Sequence, residues 1–81
     1  MTAPWRSAGG LRLRRDAGSF AVVIEPAAVG WRGILHLEGN AQHAASIPLG
    51  FYPSVGIAQK DAPKDAAKVL REALAALGGA S

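Results

Sequence analysis

In GGLRLRRDAGSF, residues 9–20, Arg12 and Arg14 alternate with Leu11 and Leu13. Arginines at alternate positions of a strand project from one face about 7 Å apart. That is close to the phosphate spacing along a nucleic-acid strand. Arg32, in WRGILHLE (31–38), extends the patch if its strand lies alongside with the same face outward. Trp5 and Trp31 offer stacking or apolar contact nearby. Against this, a sheet face in water needs polar residues, and arginine is an ordinary choice there.

His36, His43 and Glu38 form the second constellation. A two-residue turn at Gly39-Asn40, both of which tolerate positive φ, places His36 directly opposite His43, with Glu38 on the same strand face as His36. Two imidazoles and a carboxylate can ligate zinc or copper, and facing histidines resist joint protonation. Three ligands on a flat sheet without a fourth make a weak site, so the expectation is no metal and no cofactor. His36-Leu37-Glu38 also matches half of a zinc deaminase signature, but the chain has no cysteine for the other half. There is no phosphate-binding glycine loop and no nucleophile elbow. The expectation is a protein that is not an enzyme.

The elements that must position these residues fit one small domain. The chain has 81 residues, 49% hydrophobic, much of that share alanine. A core of this size is marginally stable, and a partner covering an apolar face would help it. Net charge is +3 and the pI is near 10.0, a mild attraction to polyanions. Arg6, Arg12, Arg14 and Arg15 all precede the first acid, Asp16. No signal-like segment or membrane-length apolar run is present, and the absence of cysteine fits a reducing compartment. The expected location is cytoplasmic, with no membrane partner.

Residues 1–9 read as a flexible arm with a docking Trp5, and 10–81 as the domain. Leu11 to Arg15 and FAVVIE (20–25) read as strands joined by a loop at 16–19. That register pairs Leu13 with Val22, Leu11 with Ile24 and Arg15 with Phe20, on a core face. WRGILHLE is a third strand and AQHAASIPL (41–49) a fourth, with Pro48 either confining it to an edge or marking its end. Residues 50–59 read as a loop whose Phe51 and Tyr52 cover one end of the core. A helix then begins at an Asp61 cap with Pro63 in its first turn. Its apolar stripe is Val69, Leu70, Ala73, Leu74 and Leu77, and it stops at Gly78-Gly79. The fold class is α+β: an antiparallel three- to four-stranded β-meander followed by one C-terminal helix packed on one sheet face.

GIAQKDAPKDAAKVLREALAAL (56–77) resembles the end of a double-stranded-RNA-binding domain, where the last strand gives way to a lysine-rich helix start. Ala62, Ala66, Ala67, Leu70 and Leu74 fill the family's small-residue and leucine positions, and the resemblance implies phosphate contacts at Lys60 and Lys64. The family's leading helix and adjacent lysine pair are absent, and Asp61 and Asp65 flank the lysines. The strand-strand-strand-helix order is also similar to the DNA-binding domains at the start of phage-type integrases, which bind through the sheet. Neither resemblance names a family.

The leading expectation is a binding module that contacts nucleic acid through its outer sheet face, with Arg12, Arg14, Arg32, Trp5, Lys60 and Lys64 as contact residues. The alternative is a protein-interaction module, an adaptor or small inhibitor of the kind mobile elements encode. It would dock or form a homodimer through the same face, where Ala21, Val23, Ile34, Ala45 and Ile47 are expected among the arginines.

Overall fold

A computed structural model describes residues 5–37 and 45–78. Among the described residues, five strands form one antiparallel sheet in chain order: β1 (Arg6–Ser7), β2 (Leu13–Ala17), β3 (Phe20–Pro26), β4 (Trp31–Leu37) and β5 (Ala45–Tyr52). One helix, α1 (Val55–Gly78), the only one among the described residues, packs across one face. The class and the meander are as expected, with one strand more than the upper expectation. The extra strand comes from residues read as an arm. Arg6 and Ser7 pair with Arg14 and Leu13, and the half-buried Trp5 packs against the core.

The β2–β3 hairpin closes two residues tighter than expected. Ala17 pairs with Phe20, leaving Gly18-Ser19 as the turn, and Gly18, at φ +65°, takes the first turn position, where a positive φ suits hairpin twist. The register therefore pairs Leu13 with Ile24 and Arg15 with Val22. A slip of two preserves which face each residue occupies. It displaces Leu11 from the sheet altogether: Leu11 sits in the β1–β2 turn, 71% exposed, rather than opposite Ile24.

On β4, Trp31, Leu35 and Leu37 face the helix while Arg32, Ile34 and His36 face outward, as the alternation requires. Against β5 the register shifts between Gly33 and Ile34, which pair with Gly50 and Pro48 and leave Leu49 as the inserted residue. Ile47 and Ala45 pair with Leu35 and Leu37, so they lie on the helix side and not on the outer face. Pro48 is on an edge strand, where its missing N–H is harmless. Residues 50–52, expected in a loop, complete this strand. Tyr52 is buried against the helix, whereas Phe51 is 71% exposed and covers nothing.

The helix starts six positions before the expected Asp61 cap. Ser54 is the cap: its Oγ accepts a hydrogen bond from the Ile57 amide at 3.2 Å, and its carbonyl receives the Ala58 amide at 2.9 Å. Pro63 consequently lies inside the helix, at a position that removes one intrahelical bond. The buried stripe is Ala58, Ala62 and Ala66, spaced by four. These methyl-sized side chains bring the helix close to Val22, Ile24, Leu35 and Tyr52. The expected leucine stripe divides. Val69 and Leu70 pack on the core, but Leu74 is 71% and Leu77 88% exposed. A 24-residue helix is about 36 Å long, and strands of seven or eight residues span about 25 Å. The end of the helix outruns the sheet.

Candidate nucleic-acid interface

The outer face is built from the alternate residues of the strands. Arg14 lies between Arg6 and Val23, and Asp16 lies opposite Ala21. Arg32 lies between Glu25 and Phe51, and Ile34 between Val23 and Pro48. Ala21 and Val23 are buried, although they are on the side away from the helix. They form a short-chained floor in the central strand, with longer side chains on the neighbouring strands around it.

Four arginines stand on this face, and two carboxylates organise them. Asp16 takes Arg14 Nε on Oδ1 and Arg6 Nη2 on Oδ2, both at 2.8 Å. Glu25 takes Arg12 Nε on Oε1 at 3.3 Å and Arg32 Nη2 on Oε2. The hydrogen bond from Arg14, aided by the charges of both arginines, holds the Asp16 carboxyl below the usual carboxylate range, with desolvation acting the other way. These surface pairs add little stability. Their effect is on geometry and charge. Each guanidinium has five donors, so a single carboxylate contact orients it without exhausting it. The four arginines and two acids leave a local charge of about +2.

The sequence-expected residues therefore separate. Arg12, Arg14 and Arg32 are together, as expected, with Arg6 joining them. Trp5 and Trp31 pack toward the helix-side core instead of joining the outer patch. Arg15 also faces the helix side, beside Phe20 and Leu70. Lys60 and Lys64 are exposed on α1, across the molecule from the arginines, and share a helix stripe with Lys68 and Arg71. None of these four makes an ion pair among the described residues.

Phe51 is the outer-face residue that sequence reasoning missed. It pairs with Arg32 across the edge of the sheet and stands in solvent. The signal was present, since extending β5 through Gly50 with Tyr52 as a core residue forces Phe51 outward.

The expected partner of His36, His43, lies outside the described residues. His36 pairs with Ser46, whose Oγ lies 3.0 Å from His36 Nδ1. Glu38 and the Gly39-Asn40 turn also lie outside the described residues. Among the described residues, no three histidine or carboxylate side chains gather as a metal site, and no helix is long and apolar enough to cross a membrane. In comparisons with known proteins, no family model, no curated protein and no solved structure matches the chain.

Proposed function

We propose that this protein is a nucleic-acid-binding module that grips a single strand through its outer sheet face. The observation carrying this reading is the pairing of exposed Phe51 with Arg32 on a face that holds three further arginines. An aromatic ring offers a base its face, and guanidinium groups beside it offer donors to the phosphates. Arg12, Arg14 and Arg32 are the principal phosphate contacts, with Arg6 at the margin. The carboxylates pre-orient them and moderate the field, which suits reversible, sequence-tolerant binding.

Fluorescence anisotropy with a labelled mixed-sequence single strand, and separately a duplex, tests this across a salt series. The expected result is preference for the single strand, with log K falling about 0.7 per phosphate contact as log[salt] rises. Phe51→Ala weakens binding roughly fivefold to a hundredfold. Absence of binding to either probe at low salt overturns the proposal.

The neutralising acids favour a second reading. A face where Asp16 and Glu25 alternate with four arginines, above the apolar side chains of Ile34 and Pro48, also suits a protein partner of mixed charge. Binding to a protein partner that is insensitive to oligonucleotide competition would select this reading over the first.

A further inference from the structure

The helix-side face of the sheet is wider than one helix. Five strands at about 4.8 Å spacing span roughly 20 Å between the outer two, while a helix with its side chains is about 10 Å across. α1 packs over β3, β4 and β5 and does not reach β2. Between the helix and the β2–β3 hairpin lies an apolar cleft of about 170 Å³, lined by Ala17, Phe20, Pro63, Ala67 and Leu70, with Arg15 as its one charged residue. A cavity of that order accommodates a benzene-sized apolar group. Past the cleft, on the same side of the helix, Leu74 and Leu77 project from the overhanging end.

We infer that this cleft receives the helix end of a second copy of the chain, in a two-fold symmetric dimer. The two helices lie antiparallel over the open side of each sheet, and each inserts Leu74 and Leu77 into the other's cleft. Knob and hole lie side by side on one face, so a single two-fold axis can satisfy both at once, whereas on different faces they would chain copies head to tail. The charges fit as well. The last turn of α1 carries no basic side chain, and its carbonyls present partial negative charge. Arg15 lines the cleft where the partner's helix end arrives. Leu74, Leu77 and Phe20 are 71%, 88% and 37% exposed, and a two-fold contact covers each of them on both copies, so a small patch counts twice toward the roughly 1,000 Å² that a specific interface needs. Segments 1–4, 38–44 and 79–81 contain no leucine, isoleucine or valine.

The test is the oligomeric state of the full chain, by sedimentation equilibrium over a concentration series, and a cysteine trap. A concentration-dependent dimer is expected. The Leu74→Glu/Leu77→Glu double variant weakens it at least tenfold, with the melting temperature of the monomer unchanged because both sites are exposed. Arg15→Glu weakens it without touching either leucine. The wild-type chain has no cysteine, so mixing the single variants Ala67→Cys and Leu74→Cys isolates the proposed pairing. The two positions are about 10 Å apart along one helix axis, so only helices that meet antiparallel bring residue 67 of one copy to residue 74 of the other, and oxidation then yields the mixed disulfide in preference to either like pair. A wild-type chain that remains monomeric at all concentrations, or a dimer indifferent to the glutamates and without the cross-link, overturns the inference. Neither result bears on the outer face, which lies on the opposite side of the sheet.

Discussion

The Tyr52 hydroxyl donates a hydrogen bond to Asp65 Oδ2 at 2.7 Å, tying the last residue of the edge strand to the middle of the helix. Burial, reinforced by that carboxylate, pushes the phenol well above its ordinary value near 10. The folded state therefore holds the phenol proton more tightly than the unfolded state. The resulting stabilisation is fully present below about pH 10 and is lost as pH rises through the folded value. Tyr52 is the chain's one tyrosine, so phenolate absorbance reports it alone. The expected titration lies above that of free tyrosine and coincides with unfolding. Tyr52→Phe is expected to cost about 1.5–3 kcal/mol, the range for a hydrogen bond to a charged group, in urea denaturation at neutral pH.

Gly33 sits where sheet and helix come closest. A Cβ there would meet Tyr52 Cε2 at 2.9 Å and the Cβ atoms of Leu49 and Ala62 at 3.4 and 3.5 Å. Alanine ordinarily improves a strand glycine by about 0.5–1 kcal/mol. Here the tethered ring cannot withdraw, and overpacking reverses the sign. Gly33→Ala is expected to destabilise by about 1–3 kcal/mol. Combined with Tyr52→Phe, which releases the ring, its cost should fall below the sum of the two single effects.

The helix cap distinguishes the observed start from the one the sequence suggested. Ser54→Ala is expected to cost about 0.5–2 kcal/mol with the denaturant slope unchanged. Asp61→Ala, in the second turn, should cost less. Equal costs would place the functional start of the helix at residue 61.

Asp16 moderates the arginine face. Its depressed carboxyl means that the ion pairs with Arg14 and Arg6 persist through neutral pH. They are lost only as pH falls below the ordinary carboxylate value of 3.8. Asp16→Asn removes one of the two organising charges and is expected to tighten oligonucleotide binding severalfold at low salt, with a steeper salt dependence. Unchanged affinity, with Phe51→Ala also silent, would move the contact surface off this face.

Much of the fold was legible in local patterns. Period-two alternation in Leu11–Arg15 assigns each side chain a face, the β-branched run Phe20–Glu25 takes its faces by pairing with it, and a register slip of two leaves that assignment intact. This is why Arg12, Arg14 and Arg32 were grouped correctly although the hairpin pairing differed by two residues. The helix was legible in type but not in position. Asp61 and Pro63 are good starting signals locally, and nothing local reveals that Ser54 precedes them with a better cap once β5 delivers the chain there.

By itself, then, the sequence determined the α+β class, the C-terminal helix and the outward arginines. All of these follow from periodicity and from backbone limits within a few residues. Tertiary structure decided which apolar residues are core. Ala58, Ala62 and Ala66 are buried and Leu74 and Leu77 are not, because contact depends on where the sheet ends beneath the helix rather than on hydrophobicity. It also decided that Phe51 stands in solvent beside Arg32, and that two carboxylates share four arginines. Those relationships join residues on different strands, and only the register brings them together.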